Sequence, residues 1–420
     1  MGHMIGKDVY RKLGKKIDNL TVRAPWNETF HAILKELYST EEADVVVKMP
    51  YGLSKLDQIE KTTNYDRPKL QKILDSLCSK GLVMDLWMHD EYHYMPSPLV
   101  IGIFEFTMMR TGDNLNTKEW AKLFHTYLQD ESTFYAANLK HGEKISPLRS
   151  LPHEEAIDAS EHVEILDYEK ATSIVEGATK SSIGICSCRH EKLHVGEKKC
   201  DVPLDTCSSF DAAADYLIRH NLAKEVSKSE MLENLARSKE MGLVFCADNA
   251  KKEVTFICHC CGCCCNALLG ISRFGYPGMV VSSNYLAERD DEDCTACGAC
   301  VDACAINAIE ALPEGNPKID TSMCIGCGVC ALKCPTGALK LVKRKQRVFH
   351  PEDTFERVIL QCLERGTLQN LMFNNPQSIT HSFMRGFVGG FLKLPPVKKV
   401  LMSDVLRSSF LNMMKKGGGG

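Results

Sequence analysis

The sequence predicts an α+β protein of several domains, and three observations carry that prediction. Residues 30–100 combine apolar residues at helical spacing with a closing pair of strand-like runs. Residues 161–290 alternate short apolar runs of strand length with amphipathic helical stretches. Residues 346–420 read as mostly helical, broken by glycine and proline. At 420 residues the chain is long enough for two to four domains with buried cores.

Composition narrows the function classes. Hydrophobic residues make up 44% and charged residues 25%, an ordinary globular balance. The net charge of −3 gives no bulk attraction to nucleic acid or membrane. No apolar run has spanning length, and the first twenty residues lack the apolar core of a secretory signal. A cytoplasmic protein is expected. "MGHM" at the start reads as a tag remnant and "GGGG" at 417–420 as a linker scar, so both stay outside the functional reading.

The elements follow in chain order. Residues 1–29 form an extension. In 30–100, "FHAILKELYS" is an amphipathic helix. "GLSKLDQIEKTTNYDRPKLQKILDSLCSKGLV" reads helix, turn, helix, with Leu56 and Ile59 inward on the first and Leu70, Ile73, Leu74 and Leu77 on the second. Pro68 suits a first helical turn. "GLVMDLWMHDEYHYMP" gives two strands around "HDE". This order resembles a winged helix-turn-helix domain, which implies a recognition helix over 67–80 carrying Arg67, Lys69, Lys72 and Lys80. Eight Lys/Arg against eleven Asp/Glu leave 30–100 at −3, so nucleic-acid binding is not favoured and a docking or structural role is.

Residues 101–160 read as a helical linker region, with "NTKEWAKLFHTYL" the clearest helix and Asn116 its N-cap. "HGEKISPLRSLPHEE" is punctuated by proline and reads as a loop. "VEILDYEKATSIVEGATKSSIGIC" then reads strand, helix, strand, and helices are expected over 211–223 and 229–241. The runs 243–246 and 254–258 pair as strands across "ADNAKKE".

Twenty-one cysteines in a reducing compartment point to metal binding or catalysis instead of disulfides. All but Cys78, Cys246 and Cys362 fall into three groups between 186 and 334. The first group is Cys186, Cys188, Cys200 and Cys207, at C-x-C-x11-C-x6-C. The second is "CHCCGCCC", supplying Cys258, Cys260, Cys261, Cys263, Cys264 and Cys265. Strand ends would bring these two groups to one edge of a small α/β domain over 161–290, as a composite metal site. An additional iron–sulfur cluster is the leading assignment for it, with zinc as the alternative and a metal-free thiol site as the third reading. His190, His194 and His259 lie among these cysteines as candidate ligands or proton donors, and Arg189 as a thiolate or anion partner.

The third group is the most specific signal. Residues 294–304, "CTACGACVDAC", and 324–335, "CIGCGVCALKCP", each read C-x2-C-x2-C-x3-C. A cubane needs four soft thiolates converging on four irons, and two-residue spacers let one loop supply three of them. Glycines at 298, 326 and 328 permit the backbone such loops require. The doubled run resembles the bacterial two-[4Fe–4S] ferredoxin module, spanning 291–345. The resemblance implies that Cys294, Cys297, Cys300 and Cys334 hold one [4Fe–4S] cluster and that Cys324, Cys327, Cys330 and Cys304 hold the second. It also implies a short helix and strand after each run. Ala305 stands where that family usually has proline, whereas Pro335 is kept. Residues 160–345 together resemble ferredoxin-fused 4Fe–4S binding proteins of anaerobes, a group that implies no specific reaction.

In the tail, residues 341–416 carry thirteen Lys/Arg and five Asp/Glu, a balance of +8. Packing against the domains upstream is the favoured reading, ahead of contact with an anionic membrane surface, because Pro395, Pro396 and nearby glycines interrupt a long helix. The sequence thus predicts iron–sulfur electron transfer with a redox-protein partner. A redox-sensing winged-helix regulator and a reductase working at an open iron of the composite site are the rivals. No glycine-rich dinucleotide fingerprint is present, so no nicotinamide or flavin is expected on a Rossmann turn.

Overall fold

The computed structural model describes residues 2–130, 133–139, 145–158 and 166–417. The chain forms two compact units, residues 1–140 with 358–420, and residues 141–357.

The first unit starts with helices Gly2–Asp18, Glu28–Leu37 and Thr40–Lys48. Local chemistry sets their starts. The Asn27 side chain accepts the Phe30 N–H at 2.7 Å, and Ser39 and Glu42 form a reciprocal capping box. A short strand β1 (Ser54–Lys55), helices Leu56–Thr63 and Arg67–Ser79, and strands β2 (Val83–Met88) and β3 (Glu91–Pro96) follow. The sheet order is β1-β3-β2. His89 and Asp90 both take positive φ, as a two-residue hairpin of right-handed twist requires. Ile59, Leu70, Ile73, Leu74 and Leu77 are buried, whereas Leu56 is only half-buried.

Helices Phe104–Met109, Thr117–His125 and Thr133–Asn138 come next. Asn116 precedes the second of these but does not cap it; its amide donates to Glu36 Oε1 at 2.8 Å. The tail is helical, with Leu368–Met372, Ile379–Leu392, Pro395–Leu401 and Asp404–Gly417. The helix Ile379–Leu392 buries Gly389 and Leu392 and exposes another face. Ile379, Phe383, Phe387 and Phe391, four residues apart, are 88%, 72%, 70% and 56% exposed.

The second unit is built on a seven-stranded sheet: β4 (Leu148–Leu151), β5 (Ser181–Ile185), β6 (Asp205–Phe210), β7 (Ala223–Val226), β8 (Val244–Asp248), β9 (Phe256–Cys260) and β10 (Val280–Val281). The order is β10-β4-β8-β9-β6-β5-β7, antiparallel except for β10 on β4. β4 corrects the expected loop over 141–155. Pro147 and Pro152 bracket four residues instead of breaking them, and the strand lies between β10 and β8. The helix expected over 211–223 stops at Arg219, and Ala223 already belongs to β7. The strand expected near 163–165 lies outside the described residues.

The two faces of this sheet differ. On one, Phe245, Ala247, Ile257, Phe210 and Leu151 pack with Val175 from helix Ala171–Gly177 and with Met231 and Leu235 from helix Lys228–Glu240. Because side chains alternate along a strand, Cys246, Cys258, Cys260 and Cys207 fall on the other face.

The remaining strands, β11 (Tyr285–Arg289), β12 (Ile309–Glu310), β13 (Lys318–Ile319) and β14 (Leu339–Lys343), make two small sheets, β11-β14 and β12-β13. Their core joins Tyr285, Ala287, Ile309, Leu339 and Leu341 to Cys300 and Cys330. The short helices here, Ala299–Ala303 and Val329–Leu332, lie inside the cysteine runs and not after them.

Candidate metal centres

The cysteine runs of 294–334 form two nests. Cys304, Cys324, Cys327 and Cys330 line one pocket, and Cys294, Cys297, Cys300 and Cys334 line another. Each nest therefore takes three cysteines from one run and the fourth from the other. Gly298, Gly326 and Gly328 all have positive φ, between 66° and 83°. Gly326 has a second constraint, since a side chain there would strike the Tyr285 carbonyl, and Ser283 Oγ donates to the Gly326 carbonyl at 2.8 Å.

The electrostatics of the first nest suit a metal cluster. Burial, then the neighbouring thiols Cys324 and Cys304, push the Cys330 thiol up to about 12, and burial raises Cys327 well above its usual range. Iron bound as a cluster is what allows such crowded thiols to be thiolate together. In the second nest burial works the same way on Cys334, but hydrogen bonds from Thr336 and from backbone amides outweigh it and hold the thiol below its usual value. The Ala308 amide donates to Cys304 Sγ at 3.2 Å.

The ten cysteines of 186–265 do not form one site; they separate into two. The first set lies on the sheet. Cys246 of β8 is opposite Cys258 of β9. Cys207, next to the Ser208 that pairs with Ile257, falls beside Cys258 on the other side and opposite Gly184 of β5. The thiols of Cys186, Cys207, Cys258, Cys260, Cys265 and Cys188 are electrostatic neighbours in that order, and Cys246 adjoins Cys260. Cys186 and Cys265 stand at the starts of helices Ser187–His194 and Asn266–Ser272. All six of these thiols are raised: burial favours the protonated form in each, while contacts with neighbouring thiols raise some and lower others.

The second set is Cys200, Cys261, Cys263 and Cys264, whose sulfurs all lie within 4.8 Å of one another. The Cys261 thiol is held down to about 4, first by a hydrogen bond from Cys264 and then by Arg189. Arg189 is fully buried. Its guanidinium donates to Pro203 O at 3.0 Å, Thr206 Oγ1 at 2.6 Å and the His259 carbonyl. Behind it, Glu191 and Lys192 form a buried ion pair at 2.9 Å, and Asn266 Nδ2 donates to Glu191 Oε2 at 3.2 Å.

The histidines take other roles. His259 alternates away from the thiols, and its Nε2 meets Ser208 Oγ at 2.8 Å. Burial, then Arg189, lowers its pKa to about 3. His190 and His194 pair with each other, Nε2 to Nε2, at 2.9 Å. Cys246 was missed at the sequence level, where it stood outside the three groups. The hairpin of β8 and β9, read at its correct register, is the signal that places it beside Cys258.

The two cysteine regions touch. A Cβ on Gly262, in the middle of "CHCCGCCC", would lie 2.8 Å from the Ala305 carbonyl oxygen and 3.0 Å from its Cα. Ala305 directly follows the ferredoxin-type Cys304 and is the position where proline was expected. The contact is made by the Ala305 backbone. On the opposite side, His153 N donates to the Cys327 carbonyl at 3.0 Å, and Lys333 Nζ to Glu240 O at 3.0 Å.

Among the described residues no helix is long and apolar enough to cross a membrane. No curated protein and no solved structure matches the chain significantly. Residues 293–347, by contrast, match the family model of the 4Fe-4S dicluster domain. Eight cysteines in two crossed nests, on the residues that match, make this part of the chain an iron–sulfur, ferredoxin-like module.

Proposed function

We propose that the protein is a redox relay in which the ferredoxin-like module passes electrons to and from a further iron–sulfur centre on the thiol face of the sheet. The contact of Gly262 with Ala305 carries this reading, because it seats the Cys304 nest directly against the cysteine-rich loop. Cys294, Cys297, Cys300 and Cys334 would hold the outer [4Fe–4S] cluster, and Cys304, Cys324, Cys327 and Cys330 the inner one. Cys186, Cys188, Cys207, Cys258, Cys260 and Cys265 supply the candidate ligands of the buried centre. Clusters of this type take up and release single electrons without breaking bonds in the substrate. The chain's own contribution is to bind, to exclude water and to tune: burial of Cys330 and the donors on Cys334 and Cys304 act on sulfur directly.

Iron and acid-labile sulfide on the anaerobically purified chain test the reading. About twelve irons are expected, against about eight for the ferredoxin-like module alone, at four per cluster. Cys258→Ser and Cys207→Ser should lower iron and sulfide together and leave the signals of the other two clusters in place. Eight irons, unchanged by either variant, would overturn the third centre.

Residues 28–96 have the element order of a winged helix, and the reading of it as a docking or structural module has support in its charges. Arg67 is paired with Asp57 and Glu60, Lys69 with Glu41, and Lys80 with Glu42. Three of the four basic residues of helix Arg67–Ser79 and its cap are thereby neutralised within the domain, which argues against a phosphate-binding face.

A further inference from the structure

We propose that Cys200, Cys261, Cys263 and Cys264 hold one mononuclear metal ion in a closed shell of four sulfurs, separate from the thiol face and from both ferredoxin nests. The inference does not depend on the electron-transfer reading. Its basis is the spacing of the sulfurs. Cys200 Sγ lies 3.6 Å from Cys261 Sγ and 3.9 Å from Cys264 Sγ. Cys263 Sγ lies 3.8 Å from Cys261 Sγ and 3.5 Å from Cys264 Sγ. Four sulfurs bound at about 2.3 Å to a tetrahedral ion are about 3.8 Å apart along each edge. The ligands of a cubane bind four different irons at its outer corners and stand much farther apart, so this set is too tight for a cluster.

The local chain explains how three near-adjacent cysteines converge. Residues 261–265 close a turn, with Cys264 N and Cys265 N donating to the Cys261 carbonyl at 3.4 and 3.2 Å. The turn points Cys261, Cys263 and Cys264 to one side, whereas Cys258, Cys260 and Cys265 belong to the thiol face. The fourth ligand arrives from the loop after helix Ser187–His194, where Lys198 Nζ holds the Cys200 carbonyl.

Charge fits as well. Four thiolates around a divalent ion carry a net −2, and the buried Arg189 guanidinium beside Cys261 offsets half of it. A shell with all four positions filled by protein leaves no open position for substrate, so the ion is structural. Zinc is the ion such a shell ordinarily takes, and ferrous iron has the same thiolate chemistry. The ion would clip the 195–203 loop to the turn that carries Gly262, and so fix the surface on which Ala305 rests.

The test is a metal inventory of the full chain with and without the site. The wild-type protein should contain one zinc per chain, or one iron in excess of sulfide. Cys263→Ser and Cys200→Ser should each remove that single ion and leave cluster iron and sulfide unchanged. X-ray absorption at the zinc edge of the unmutated protein should show four sulfurs at about 2.3 Å. It reads the site even if a variant fails to fold. For an iron-loaded site, replacement of the ion by cobalt should give the intense visible bands of a tetrahedral thiolate. Loss of iron and sulfide in equal amounts from Cys263→Ser, or a nitrogen and oxygen shell around zinc, would overturn the proposal. These outcomes are independent of Cys258→Ser, which tests the cluster on the sheet.

Discussion

Gly262 is the residue on which the two cysteine regions depend most directly. Its contact with the Ala305 backbone leaves no room for even a methyl group. Gly262→Ala should destabilise the second unit by about 1–3 kcal/mol through overpacking. The altered seating should also slow reduction of the buried centre relative to the ferredoxin-like clusters, read by rapid-mixing optical spectroscopy. Equal reduction rates in variant and wild type would separate the contact from electron flow.

A second residue-scale prediction concerns acid. His350 is buried, its Nδ1 meets Asn249 Oδ1 at 2.9 Å, and burial followed by Arg149 and Lys251 lowers its pKa to about 3. The unfolded chain binds a proton there near 6.5, so the native state loses stability as pH falls from 6.5 toward 3 and loses nothing above. The slope is up to about 1.4 kcal/mol per pH unit for one such group. His350→Gln should flatten the stability profile between pH 6.5 and 5, measured by anaerobic denaturant unfolding. His153 and His259 are lowered in the same direction and keep part of the slope in that variant.

At the scale of elements, the sequence was legible where periodicity and spacing act locally. The hairpin of β2 and β3, the pairing of β8 with β9, and the helix Arg67–Ser79 follow from local pattern. Three features were not local. β4 looked like a loop because its prolines flank it, and only its neighbours in the sheet make it a strand. Cys246 looked isolated because its partner is twelve residues on, across the hairpin. The division of "CHCCGCCC" into two sets depends on which side chains alternate across β9 and which leave it in the turn. The eight-cysteine line alone does not encode that choice.

The helix Ile379–Leu392 presents another element-scale consequence. Its row of Ile379, Phe383, Phe387 and Phe391 leaves a contiguous apolar stripe on the surface. An apolar dye should bind the native protein there, and Phe383→Ser with Phe387→Ser should lower its fluorescence by roughly half without changing iron content. Undiminished fluorescence would mean that the dye reports another surface.

At the scale of the whole molecule, the two units carry different kinds of stability. The first has an apolar core of helices and a small sheet, and no cysteine group lies in it. The second buries Arg149, Arg189, Glu191 and Lys192, and metal held by its cysteines would contribute to its folding directly. Anaerobic removal of metal by a chelator should therefore lower one thermal transition and leave the other in place, read by calorimetry. A single transition that shifts as a whole would show the units to be coupled.

The division of the chain also has a temporal side. Residues 141–357 are contiguous, while the unit around them is assembled from 1–140 and 358–420. Synthesis proceeds from the N-terminus at roughly 5–20 residues per second, so the inner unit has left the ribosome several seconds before the outer one receives its last helices. During that interval every cysteine of the three groups is present and the host unit is still open. Metal taken up in that interval would enter before the chain closes its second core.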